Sequence, residues 1–168
     1  MFFKSKFEKK KEKLESKNYD NLPNWTLNGR VFYSKILDVY DGDSITISVK
    51  IDNNYFKMNC RLNGIDTPEM RGGDEDEKAA AIKARDHLIF LLAGQKIGKD
   101  VSRKNIREFF SERNIVLQIK CGDFDKYGRL LIEIIKEGFF INFKMISDGF
   151  AGEYSGKTKS DWKTYFKH

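Results

Sequence analysis

A chain of 168 residues that is 40% hydrophobic and 14% aromatic is long enough to form one domain around a buried core. Its apolar runs fall short of the roughly 18–20 residues that a membrane-spanning helix needs, and two cysteines outside any C-x-x-C pair argue against a disulfide framework or a structural zinc site. The net charge of +6, with a sequence pI near 9.2, favours an anionic partner, nucleic acid ahead of an anionic membrane surface.

Residues 1–24 are read as a separate basic extension. Lys4, Lys6, Lys9, Lys10, Lys11, Lys13 and Lys17 alternate there with Glu8, Glu12 and Glu15 at spacings that permit a fraying helix. Three readings stay open for it: a solvated or disordered tail, a nucleic-acid-binding arm, and a weak membrane-surface contact. It lacks the apolar core of roughly 7–15 residues and the small-residue cleavage site of a secretory signal, so an intracellular location is expected. Cys60 and Cys121, both on the apolar parity of their strands, are then read as buried free thiols in a reducing compartment.

The folded domain is expected over residues 25–168. Val31 to Val39 reads as a strand ending at the turn Tyr40-Asp41-Gly42-Asp43. Ser44 to Ile51 alternates, with Ile45, Ile47, Val49 and Ile51 on one face; Asp52-Asn53-Asn54 turns the chain, and Tyr55 to Leu62 returns it. Met58, Cys60 and Leu62 fall on one side of that third strand, and Lys57, Asn59 and Arg61 on the other. Pro68 fixes its own φ and holds Thr67 extended, making Asp66 to Glu69 a stiff turn.

A helix follows, its first turn loaded by Asp74 to Glu77, its apolar stripe drawn from Ala81, Ala84, Leu88, Leu91 and Leu92, and its stop at Gly94. The acidic cluster is assigned to capping, not to metal. Residues 95–113 read as a polar, basic insertion with a short helix near Ile106 to Phe110. Ile115 to Cys121 alternates as a fourth strand, Gly122 to Gly128 forms a loop, and Arg129 to Ile135 is a fifth strand apolar enough to be buried on both faces. Phe140 to Asp148 suits a helix closed by Gly149, and Ser160 is placed to cap a last helix carrying Trp162, Tyr165 and Phe166. Three strands, a helix, two strands and a helix predict an α+β, mainly β protein: a five-stranded Greek-key OB-fold barrel with attached helices.

Asp43, Asp66 and Glu69, with Arg61 and Arg129, repeat one chemical theme: hard oxygen donors of the kind Ca²⁺ or Mg²⁺ prefers, beside guanidinium groups. An arginine beside carboxylates is also compatible with a plain surface ion pair worth about 0–1 kcal/mol. His87 and His168 are the only histidines, one in a helix and one at the last residue, so no histidine acid–base pair is expected. Asp41 to Asp52 has the length of an EF-hand loop but carries Thr46 where glycine is needed. Ala151 to Thr158 nearly matches a Walker A loop, yet alanine replaces its first glycine and no buried strand leads into it.

Asp41-Gly42-Asp43-Ser44, Arg61 to Glu69 and Asp125-Lys126-Tyr127-Gly128-Arg129, in that order and spacing, resemble the signature blocks of the staphylococcal nuclease (thermonuclease) family. The likeness covers roughly residues 30–155. It departs in the amino-terminal extension, in the stretch around 95–113, and in serine for the more usual threonine at position 44.

The resemblance implies a five-stranded OB barrel with three helices. It also implies that Asp43 and Asp66 ligate Ca²⁺ with the backbone carbonyl of Thr67, that Glu69 activates the attacking water as base or by positioning it, and that Arg61 and Arg129 grip the scissile phosphate. Lys126 and Tyr127 would lie near the substrate's 5′-phosphate, and Tyr154 is a candidate base-stacking residue. The function so implied is Ca²⁺-dependent hydrolysis of DNA and RNA at the P–O5′ bond, by a monomer, leaving 3′-phosphates. Alanine at Arg61 or Arg129 is then expected to lose most of the activity and spare the fold. The alternatives are a family module that binds nucleic acid without turnover, and an OB-fold single-strand binder unrelated to nucleases, which leaves the three carboxylates unexplained.

Overall fold

The computed structural model describes residues 5–98, 101–156 and 160–168. Helix α1 (Lys6–Glu15) has a Ser5–Glu8 capping box and buries none of its residues. The core begins at Leu27, which is fully buried.

Strands β1 (Val31–Val39), β2 (Ser44–Ile51) and β3 (Asn54–Leu62) form the expected antiparallel meander. Asp52 and Asn53, both at positive φ, make the two-residue β2–β3 turn, a geometry Asn and Asp tolerate better than most residues. Strands β5 (Val116–Phe124) and β6 (Leu130–Lys136) follow, β5 on the other edge of β1. A parallel pairing of β3 with β6, Cys60 to Leu130, Arg61 to Leu131 and Leu62 to Ile132, closes the five strands into a barrel. Inside lie Ile36, Ile45, Ile47, Cys60, Leu62, Ile119, Cys121, Leu130, Ile132 and Ile134. Burial pushes the Cys60 thiol up to about 12, with nearby Cys121 adding to it, so both free thiols behave as small apolar groups.

Asn142 latches the closure. Its side chain accepts from the Ile134 amide at 3.0 Å and donates to the carbonyls of Asn63 and Ile132 at 2.8 and 3.0 Å, just past the end of the β3–β6 seam. Asn142 belongs to α4 (Ile141–Ser147), which follows the short β7 (Phe139–Phe140).

Helix α2 (Glu75–Ala93) matches expectation closely. Asp74 caps it by accepting from the Glu77 amide at 2.8 Å, and Gly94 ends it at φ 73°. Lys136 of β6 donates to the carbonyls of Leu91 and Leu92, tying the helix's last turn to the barrel. The 95–113 stretch holds more than the short helix expected of it. Helix α3 (Arg103–Arg113) packs on β1 and buries Ile106 and Phe110 completely, so two residues of this basic segment belong to the core.

Other expectations change. Ile65 and Asp66, read as loop, form a two-residue strand β4 paired with β8 (Gly152–Glu153). β6 buries only Leu130, Ile132 and Ile134, because barrel curvature leaves the opposite face half-covered. The last helix is one 3-10 turn, Trp162–Thr164, capped by Asp161 and not Ser160. Four α-helices stand among the described residues, in keeping with the barrel and attached helices expected, α1 lying in the amino-terminal extension and α3 in the 95–113 stretch. None of the described helices is long and apolar enough to cross a membrane.

Candidate active site

The seam between β3 and β6 brings the two arginines together. Parallel register sets Arg61 opposite Leu131, so Arg129, the residue before β6, lies only two residues from the partner of Arg61. β2–β3 register sets Ser44 opposite Arg61, and the Leu62 amide donates to the Asp43 carbonyl at 2.7 Å. Three segments far apart in sequence thus meet at one end of the barrel. They line an open pocket of about 520 Å³ with Asp41, Asp43, Ser44, Arg61, Glu69, Lys126, Tyr127, Arg129 and Tyr154.

Arg61 is only 7% exposed, the alternating pattern notwithstanding, because it turns inward as a counter-ion. One amine of its guanidinium donates to Asp43 Oδ2 at 2.5 Å and to the Ile65 carbonyl at 3.1 Å, and the other to Asp66 Oδ1 at 2.9 Å. The Tyr154 ring stands 5.2 Å from its centre, held by the Tyr154 amide on the Gly64 carbonyl. Such a charge is removed at a cost of several kcal/mol, well beyond a surface ion pair.

Asp43 also accepts from the Ser44 hydroxyl at 2.7 Å, while its amide donates to Asp41. Burial and the neighbouring Asp41 charge push the Asp43 carboxyl up to about 7, against the pull of Arg61. Asp41, outside the residues assigned a role from sequence, is buried beside it and raised chiefly by the same desolvation. The Asp-x-Asp spacing across Gly42 is the signal that pointed to it.

Gly42 explains the tightness of that turn. A Cβ there would come within 2.8 Å of Thr67 Cγ2 and of Ala84 Cβ in α2, so only glycine lets the turn seat against the buried Thr67. Glu69 is exposed at the rim. Its backbone amide donates to Glu77 Oε1 at 3.2 Å, so the acidic first turn of α2 anchors the loop as well as capping the helix.

Arg129 is oriented from below by Asp125, which accepts from its amide and from Nε at 2.9 and 2.8 Å, while Nη1 reaches the Ser44 hydroxyl at 3.4 Å. Burial would raise the Asp125 carboxyl, but the Arg129 donors and the Tyr127 amide outweigh it and hold it below the usual carboxylate range. Lys126 and the 73%-exposed Tyr127 extend the rim, and a second open volume of about 630 Å³ continues past them toward Ser155 and Gly156.

Of the nine residues given roles from sequence, seven line the main pocket; Asp66 reaches it through Arg61, and Thr67 lies against Gly42. Among the described residues no three carboxylate, imidazole or thiol groups stand together in metal-binding geometry, and Arg61 bridges Asp43 and Asp66. The donor chemistry still fits a hard divalent ion. Asp41, Asp43 and Asp66 are buried with one guanidinium among them, and their carboxylate oxygens are the hard donors such an ion takes.

Tyr165 is a residue that sequence reading placed only on an apolar helix face. Its hydroxyl is buried with no hydrogen-bond partner among the described residues, and burial together with Asp66, Asp43, Glu77 and Glu69 raises its phenol.

A closed five-stranded barrel with arginines and carboxylates gathered at one end defines a nuclease or nucleic-acid-binding module. The family model of staphylococcal nuclease homologues matches residues 59–167, and the chain belongs to that family. The match takes in Arg61, Asp66, Thr67, Glu69, Lys126, Tyr127, Arg129 and Tyr154; Asp41 and Asp43 lie before it and enter the site through the β2–β3 register. A comparison with curated proteins found no significant match.

Proposed function

We propose that the protein is a Ca²⁺-dependent phosphodiesterase that hydrolyses DNA and RNA at the P–O5′ bond and leaves 3′-phosphates. The observation that carries this reading is the convergence of Arg61 and Arg129 on one pocket that also holds Asp43 and Glu69. Hydrolysis of a phosphodiester builds negative charge on the non-bridging oxygens, and two guanidinium groups held in advance stabilise it without reorganisation. One well-placed arginine in phosphoryl transfer is worth roughly 10³–10⁵ in rate.

In this reading Arg129, aimed by Asp125, and Arg61, aimed by Asp43 and Asp66, hold the scissile phosphate. Glu69 accepts a proton from the attacking water or fixes its orientation. The P–O5′ bond breaks, and the 5′-oxygen takes a proton from solvent, to which the pocket is open. Lys126 and Tyr127 contact the neighbouring phosphate, and the Tyr154 ring flanks the leaving nucleotide. Asp43, Asp66 and the Thr67 carbonyl would hold Ca²⁺, with Asp41 close by; when bound, the ion supplies Lewis-acid polarisation of the phosphate and an oriented water.

A nicking assay on plasmid DNA and on a labelled RNA, run with Ca²⁺, with other divalent ions and with EDTA, tests the proposal. Wild type should cut both in Ca²⁺ and neither in EDTA. Arg129→Ala should cut about 10³-fold more slowly or worse, with Glu69→Gln also impaired. Cleavage by Arg129→Ala at the wild-type rate removes the mechanism, and binding without cleavage by wild type leaves the binding module.

A further inference from the structure

The pocket at Arg61 and Arg129 does not end there. A further open volume, about 360 Å³, shares Asp41, Ser44, Glu69 and Arg129 with it and runs past Tyr40 to Asn59 and Arg103. A third, about 310 Å³, takes up Asn59 and Arg103 and ends among Asp38, Thr46, Lys57 and Arg107. The three form one groove, which passes from the catalytic end onto the face of β2 and β3 and is walled on the far side by α3. In OB barrels that face is where oligonucleotide strands lie.

Charge distinguishes the far end from an ordinary surface. Arg103 and Arg107, one turn apart on α3, each donate through Nε to the same oxygen of Asp38, at 2.8 Å. Asp38 is buried on β1, whereas the two arginine side chains are 48% and 56% exposed. One arginine would neutralise this carboxylate. The second, with the exposed Lys57 across the groove, leaves three cations against one anion, and the nitrogens at the fork of each guanidinium take no part in the Asp38 bond. Arg103 also lies 4.9 Å from the centre of the Tyr40 ring, which Arg71 flanks at 5.9 Å, so a cation–aromatic pair occupies the middle of the track. Burying an ion pair to dock α3 explains one arginine. It does not explain two pre-aimed arginines and a lysine facing an open groove that is continuous with the pocket.

We propose that Arg103, Arg107 and Lys57 form a second phosphate subsite that holds the backbone of the strand whose scissile phosphate lies at Arg61 and Arg129. The subsite rests on the nucleic-acid reading above, and makes α3 a substrate-binding element as well as a core helix. Because it touches phosphates, it adds affinity for longer strands without reading bases.

The test is binding of a labelled single strand of roughly ten nucleotides, followed by anisotropy against salt concentration in EDTA, where no cleavage occurs; each lost phosphate contact removes about 0.7 from the slope of log affinity on log salt. Lys57→Gln, a change at an exposed position that leaves the Asp38 pairs intact, should lower the slope by about 0.7. D38N/R103Q/R107Q, which removes the buried charge along with its partners, should lower it by about 1.4 and weaken binding about tenfold near physiological salt. The same decrements are expected on an Arg129→Ala background, which separates this subsite from catalysis. Wild-type slopes in a Lys57→Gln protein that melts normally overturn the proposal, and so does failure of wild type to bind the strand. The predicted decrements in these variants, found while wild type binds the strand but never cleaves it, uphold the subsite and overturn only the hydrolytic reading.

Discussion

Arg61 and Arg129 look equivalent as letters, and their surroundings make them different. Arg129 sits at the rim, a third exposed, with Asp125 on its Nε and the Ser44 hydroxyl on Nη1. Arg61 is the internal counter-ion of Asp43 and Asp66 and donates to a carbonyl besides. The expectation that either could be replaced with the fold intact is therefore kept for Arg129 and revised for Arg61. Arg61→Ala should cost about 3–5 kcal/mol of stability, since it leaves buried carboxylates uncompensated. Urea unfolding in EDTA measures this, and a midpoint within error of wild type refutes the counter-ion role. If the Asp43–Asp66 side holds Ca²⁺, adding the ion should recover part of the loss, because a ligand of the native state raises its stability.

At the scale of elements, the site depends on close approaches of backbone. The β1–β2 turn must come under α2, and Gly42 permits it where any Cβ would strike Thr67 and Ala84. Gly42→Ala should cost about 1–3 kcal/mol through overpacking. It should also reduce cleavage more than that loss of stability explains, because relief of the clash displaces Asp41 and Asp43 from Arg61. A melting curve and a cleavage rate on the same preparation decide the matter. Equal rates at a temperature where both proteins are folded would show that the turn can relax without moving the carboxylates. Periodicity found β2, β3, β5 and α2 because each carries one apolar face, while β1 and β6 showed as runs of strand-forming and apolar residues. It undervalued α3, where only Ile106 and Phe110 are buried in a run of charge, and it missed β4 and β8, which are too short to show a period.

Across the whole molecule, residues 160–168 fold back and seal the α4 side. The Lys167 amide donates to the Gly149 carbonyl, and His87 of α2 and His168 each stack on Phe150 at 3.9 Å, sandwiching its ring. His87 Nε2 lies 2.8 Å from Asp148 Oδ2, and Lys144 holds the other Asp148 oxygen. Burial lowers the His87 imidazole below its ordinary value despite the pull of Asp148, with His168 and Lys144 reinforcing the shift. Between its folded value and about 6.5 the unfolded chain binds a proton that the fold resists. This contribution is thus present above about pH 6.5 and lost as pH falls through it. Asp148, held low because Lys144 and His87 outweigh its burial, adds a loss in the same direction at more acid pH. Asp41 and Asp43, both raised, act in the opposite sense, so the informative quantity is a difference. The melting temperature of His87→Gln relative to wild type should converge as pH drops from 7 to 5, and a constant gap across that range contradicts the assignment.

The residue types of the site, their order, and the longer strands and the helix α2 around them follow from the sequence alone, because turn chemistry, capping and alternation are local and leave a mark within a few residues. Local signals do not reach the β3–β6 seam, where two strands about seventy residues apart in the chain pair in parallel and bring Arg129, two residues before the partner of Arg61, to the same pocket. Neither could they reveal that Arg61 faces inward, or that α3 walls a groove with two arginines on one buried aspartate. Those are matters of which surfaces meet once the barrel closes, and burial, which sets the strength of every charge in the site, exists only then.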